Sequence, residues 1–133
     1  MAVIEVLVPA PAVGTEWLYT ITNSTLELKT VRAVVFKLTA DGNTGNRNPT
    51  VVVNDSNGLP VFTSIAMSTL IASHNQTYQM YQGTDFNTQP SANSSLTISF
   101  PEVPLLNGFT IRSANTGLKA GDQFSNIILI GDQ

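Results

Sequence analysis

The 133-residue chain contains no cysteine and one histidine, and only 11% of its residues are charged, where about 25% is usual for a soluble domain. Without cysteine it has no disulfide framework, no thiolate metal site and no thiol nucleophile, a composition that suits a reducing compartment. One histidine does not supply a zinc site built on several imidazoles. His74 also lacks a Gly-x-Ser-x-Gly elbow to serve as a triad base, and Ser73-His74-Asn75-Gln76 reads as a solvated turn. Catalysis by proton transfer or nucleophilic attack concentrates ionisable groups, and this chain concentrates none. We expect no enzyme, no catalytic residue, no metal and no cofactor.

Positive charge is short as well. Six Lys and Arg stand against nine Asp and Glu, for a net charge of −3. The cations Lys29, Arg32, Lys37, Arg47, Arg112 and Lys119 are scattered, so no basic face offers itself to nucleic acid. No run approaches the ~18 apolar residues of a membrane-spanning helix. Met1 to Gly14 has no basic residue, and Glu5 interrupts its apolar stretch, so it does not read as a signal peptide. Neither nucleic acid nor membrane is an expected partner.

What the chain has is a series of short β-favouring runs separated by turn residues, the pattern of a sandwich or barrel. Ile4 to Val8 ends in Pro9-Ala10-Pro11, and its prolines impose an extended exit. In Glu16 to Thr22, Trp17, Tyr19 and Ile21 share one side by period two. Leu26 to Leu38 is long and apolar on both parities, as a doubly covered strand would be. Asn57-Gly58 between Val51–Val53 and Val61–Ile65 is a strong hairpin signal. Ser64 to Ser73 is the one stretch where a short helix competes. Further strands are predicted at Thr77 to Gln82, Ser95 to Phe100, Gly108 to Ser113 and Phe124 to Ile130. Connections of unequal length favour Greek-key winding over a meander. The expectation is an all-β antiparallel sandwich, an eight-stranded jelly roll over 15–133, with residues 1–14 as an N-terminal strand or arm.

The Asx-rich segments Asp41 to Asn46 and Asn54 to Asn57 offer hard oxygens. Gly45, however, falls where an EF-hand loop needs a ligand, so they read as turns. No pair of acids stands out as a glycosidase pair. Sequons beginning at Asn23, Asn54, Asn75 and Asn93 are unremarkable in so Asn- and Ser-rich a chain. The rival functional reading is a carbohydrate-binding β-sandwich module associated with a tail or fibre. Tyr78 and Tyr81 would then form its stacking platform; their opposite parity sends one of them outward.

Two segments carry a family resemblance. The run from Gly108-Phe109-Thr110-Ile111-Arg112 to Ala120-Gly121-Asp122-Gln123-Phe124-Ser125-Asn126-Ile127, and Asn46-Arg47 to Val51-Val52-Val53 with Asp55 and Gly58, resemble elements of small jelly-roll decoration, or cement, proteins of tailed bacteriophages. The resemblance implies a virion protein on the outer capsid surface, made in the host cytoplasm. It further implies a homotrimer seated between capsomers and bound to the major capsid protein. Soon after the last strand comes Gly131-Asp132-Gln133, so no appended fibre domain is expected. Low charge suits this role, because it lowers the desolvation cost of burying surface at an interface. Val3, Ile4, Val6, Val8 and Pro9 are the expected capsid or subunit contacts, acting by strand addition. Deleting Met1 to Val8 should then abolish binding and spare the fold. Trp17, Arg112 and Asp122 are expected to determine the fold, with Arg112 pairing Asp122 across one loop.

Overall fold

Val34, Phe36 and Leu38 alternate with Val35 and Lys37, and this period-two stretch becomes a central strand with the first set wholly buried. The computed structural model describes residues 3–22, 27–64, 69–81 and 101–133, and the backbone of 94–99. Its strands are β1 (Val3–Val8), β2 (Leu18–Thr20), β3 (Thr30–Val31), β4 (Ala33–Thr39), β5 (Asn48–Asn54), β6 (Pro60–Thr63), β7 (Asn75–Tyr81), β8 (Ser94–Ser99), β9 (Val103–Pro104), β10 (Thr110–Thr116) and β11 (Gln123–Asp132). There is no helix among the described residues.

The winding is that of one long ribbon rolled up. β1 pairs β11, β2 pairs β10, β4 pairs β7 and β5 pairs β6, all antiparallel. Rolling brings β11 against β4 and β10 against β5. The products are a sheet β1-β11-β4-β7-β8 and a sheet β2-β10-β5-β6, the two layers of a jelly roll. The Asn57-Gly58 turn is the tip of the ribbon. Gly58 takes a φ of +81°, and Asp55 Oδ1 accepts the N–H groups of Asn57 and Leu59 at 2.9 and 3.0 Å. An Asx side chain closing a turn in this way is what the segment promised.

Three features depart from the sequence reading. β8 adds parallel to β7, so the first sheet is not purely antiparallel, and β8 stands outside the eight-strand winding. The apolar pattern expected at Leu96, Ile98 and Phe100, the start of the long run at Leu26 and the Phe86–Ser94 loop lie outside the described side chains. The long run is divided at Arg32, whose guanidinium reaches Asp132 at 2.8 Å while its N–H donates to Ile130 O; before it, β3 pairs with the short β9. Finally, of the strand or arm expected over 1–14 the strand forms, and it is part of the sandwich instead of standing apart from 15–133. β1 is the marginal strand of the first sheet, with Val8 in the core.

Phe36 is the hub of that core. Its ring stacks on Tyr78 (5.2 Å between centroids), meets Phe124 edge-on (5.7 Å) and lies tilted to Trp17 (5.8 Å). Phe36, Tyr78 and Phe124 belong to the first sheet, and Trp17, bonded to Ser113 of β10, carries the cluster to the second; such pairs are worth about 0.5–1.5 kcal/mol each beyond area burial. Phe124 and Ile127 both face this core although three residues apart, because a bulge between Ser125 and Ile128 adds one residue to β11. Asn126 takes the left-handed conformation there, with φ of +51°, a region that Asn tolerates better than most residues.

Candidate functional site

The two ends of the sandwich differ in chemistry. At the end where β5 and β11 begin, Arg47 has a wholly buried side chain held in a polar cage. Its Nε and Nη2 donate to Oδ2 and Oδ1 of Asp122 at 3.0 and 3.1 Å. Nη2 also reaches Asp41 Oδ1 at 2.7 Å, and Nη1 reaches Gly45 O at 2.7 Å. Asp122 further accepts the N–H groups of Asp41 and Lys119 at 2.9 and 2.8 Å. A buried guanidinium is tolerable only when paired and hydrogen-bonded to this degree. Backbone bonds extend the clamp: Gly14 N–H donates to Asp122 O, Ser73 N–H to Asp41 O, and Arg47 exchanges two bonds with Leu70.

The expected pairing of Arg112 with Asp122 is therefore wrong. Asp122 belongs to Arg47, because β11 starts beside the Asp41–Arg47 loop. Arg112 sits on β10, opposite Leu18 and Val52, and its charge acts on Glu16. The motif residues Arg47 and Asp122, which the resemblance quoted separately, are bonded partners.

Burial pushes the Asp41 carboxyl up. Hydrogen bonds from Asn43 and Gly121 and the charge of Arg47 outweigh that push and hold it below its ordinary value. Its oxygens are thus spent on Arg47 and on neighbouring N–H groups, as Oδ1 of Asp55 is at the ribbon tip. Among the described residues no three His, Cys, Asp or Glu side chains gather where they would hold a metal ion.

Glu16 and Trp17 show how β2 is anchored. Trp17 N–H donates to Ser113 Oγ at 3.1 Å, and that hydroxyl donates to Glu16 Oε1 at 3.0 Å. Burial raises Glu16 above its ordinary pKa, and the bonds from Ser113 and Asn115 N–H with the Arg112 charge offset only part of it. The expected same-side set Trp17, Tyr19 and Ile21 packs on the core. Tyr19 O–H donates to Glu27 Oε1 at 2.8 Å. Burial first, then this bond and the carboxylate charge, pushes the phenol up to about 12.

The sugar platform does not assemble. Tyr78 is wholly buried against Phe36 and presents no ring face to a ligand. Tyr81 lies on the other face of the same strand, level with Ala33.

β1 splits its expected contact residues. Ile4, Val6 and Val8 face inward and pack on the core, while Val3, Glu5, Leu7 and Pro9 are exposed. Val3 and Leu7 are 62% and 70% exposed, and Leu7 was not singled out by sequence. It shares a row with Ile128 and Val35 on the outer face of the sheet, beside the row of Glu5, Ile130, Ala33 and Tyr81. The apolar part of this outer face is a strip of Leu7, Ile128, Ile130, Ala33 and Val35, and it turns polar at Glu5, Gln79, Lys37 and Thr77. Deleting Met1 to Val8 would strip β11 of its neighbour and uncover the core at Val8, so it would not spare the fold.

The opposite end, where β10 begins and β11 finishes, has an apolar hollow beside the Arg32–Asp132 ion pair. Val61, Val103, Pro104, Leu106 and Phe109 line this hollow of about 260 Å³, and no charged side chain is among them.

No protein-family model, curated protein or solved structure matches the chain.

Proposed function

We propose that this chain is a structural protein that decorates the outer capsid surface of a tailed bacteriophage. As a homotrimer between capsomers it binds the major capsid protein and stabilises the shell. The observation that carries the reading is the margin at β1. Natural sheets blunt their edges with short strands, prolines, lysines or bulges. Of the other margins, β2 is three residues long, β6 opens on Pro60, and β8, also six residues without proline or lysine, is a polar Ser- and Thr-rich strand added parallel to β7. β1 has six residues, no proline, no lysine and an unbroken register with β11, and it shows Val3 and Leu7 to solvent. An edge left in that state is suited to receiving a strand from another protein. The strip of Ile128, Ile130 and Val35 beside it extends the same contact. The two motifs of the resemblance support the reading too, since they supply the two sides of one buried clamp.

Binding to the assembled shell and not to its expanded or burst forms would stabilise it by mass action. The test is co-sedimentation of the protein with shells of its phage's major capsid protein, using the wild type and the Val3→Lys/Leu7→Lys variant. Both substitutions fall on exposed side chains and leave Ile4, Val6 and Val8 in place. The wild type should co-sediment and raise the melting temperature of the shell; the variant should melt like the wild type when free and fail to bind. A wild type that stays in the supernatant sinks the reading. Undiminished binding by the variant removes β1 from it.

A further inference from the structure

We propose that the end of the sandwich around the hollow lined by Val61, Val103, Pro104, Leu106 and Phe109 is the surface through which copies of this chain associate. The proposal deepens the homotrimer reading by naming its contact, and it leaves β1 for the shell.

The argument starts from exposure. Leu106 is 64% exposed and Val61 51% exposed, and both line the hollow. Leu59, 63% exposed, lies two residues before Val61 at the ribbon tip. Large aliphatics gathered on one rim, beside an aromatic floor, form a patch of the kind that marks an interaction site. The same end thus carries both a protruding side chain and a recess that accepts one, which is what a surface needs in order to meet another copy of itself. Among the described residues the lining of the recess is made of Val, Pro, Leu and Phe side chains, which offer no donor or acceptor for a sugar or an ion. Its occupant is apolar.

Charge points to a second copy. Charges of both signs flank the hollow: Glu102 is exposed beside Val103, Lys29 is exposed beside Thr30, its carbonyl accepting the Leu105 N–H, and half-exposed Arg32, bonded to Asp132, follows Val31, the partner of Val103. Two copies of this surface can set Glu102 of one against Lys29 of the other, a rim arrangement that fixes register more than affinity. A ring of copies also suits the polar architecture: the Arg47 clamp and its loops lie at the other end and stay clear of the contact.

The experiment is light scattering behind size exclusion over a range of concentrations, on the wild type and on Leu106→Asp. Melting temperature and near-ultraviolet circular dichroism of each check the fold. Because Leu106 is exposed, the variant should fold like the wild type. Its self-dissociation constant should rise by about thirtyfold or more, as expected for charging the centre of an interface. A second variant, Glu102→Lys, should weaken association, and pairing it with Lys29→Glu should restore much of it. A wild type that stays a single chain up to its solubility limit overturns the proposal. So does an oligomer indifferent to Leu106→Asp. Either result leaves the shell reading to co-sedimentation, which scores separately whether β1 binds capsid.

Discussion

Arg47 and Asp122 lie 75 positions apart and form a two-pronged ion pair in which neither side chain is exposed to solvent. The pair ties the start of β5 to the start of β11, one strand from each sheet, and so locks the layers at one end. Removing one partner strands the other charge without water, at a cost of about 3–5 kcal/mol. Arg47→Met and Asp122→Leu should each lose that much in urea denaturation. The double variant should be more stable than the sum of the two losses predicts. Arg47→Lys keeps the charge and loses the fork, so it should fall between the wild type and Arg47→Met.

Two carboxyls should pull the acid limb of the stability curve in opposite directions. Asp41 is held below its ordinary 3.8, so the folded state binds its proton less tightly than the unfolded state does. Its contribution is present above about that pH and is lost as the pH falls further. Asp41→Asn should therefore be less stable than the wild type at neutral pH, with the gap closing in strong acid. Glu16 is raised above 4.5, so its ionised form costs stability above that value and acidification relieves the cost. Glu16→Gln should be the more stable protein at neutral pH and lose its advantage as the pH falls through the Glu16 range. Denaturant midpoints measured against pH separate the two.

At the alkaline side the sign follows Tyr19. Its phenol ionises near 12 in the folded state and near 10 when unfolded, so the folded chain holds the proton longer. Stability from this group is complete below about 10 and drains as the pH rises through the interval above it. Burial raises the Tyr78 phenol as well, so ultraviolet difference titration should show two late phenolate components, the earlier of which disappears in Tyr19→Phe.

Gly117 follows β10 at the clamped end with φ of +90°, and an added Cβ would run into the carbonyl oxygen of Asn46. Backbone has no flexible end to retreat, so Gly117→Ala combines strain with a clash next to Arg47. A loss above the ordinary ~1 kcal/mol of a point substitution is expected, measured by thermal melting. Gly58 also has positive φ but nothing within 4 Å of the added atom. Gly58→Ala should therefore cost only conformational strain, and less than Gly117→Ala.

Period-two patterning made the core strands readable. Leu28, Val34, Phe36 and Leu38 are buried as a set, and Asn57-Gly58 marked the tip of the ribbon because a tight turn is a local event. The jelly-roll winding followed from unequal loop lengths, which report long-range geometry only coarsely. The ion pair was out of reach because its partners are joined by topology, not spacing. The visible signal was Arg47 as the one cation of an Asx- and Gly-rich loop. Parity told that Tyr78 and Tyr81 diverge but not which of them meets the core. That depended on the sheet onto which β7 docks. The exposed patch at Leu106 escaped notice because Pro104-Leu105-Leu106 has no alternation to read, and its middle residue alone turns inward.

The pairing of Val3 with Asp132 has a consequence for biosynthesis. β1 has no strand partner but β11 and so waits for it to emerge, and β2 waits likewise for β10. High contact order of this kind slows folding, because long loops must close before native contacts repay them. The nascent chain can close its β5–β6 hairpin early. It cannot complete the second sheet until translation has delivered β10, nor the first until it has delivered β11. Holding β1 in solution meanwhile falls to its flanking residues and to chaperones, with Glu5 the one charge on its exposed face.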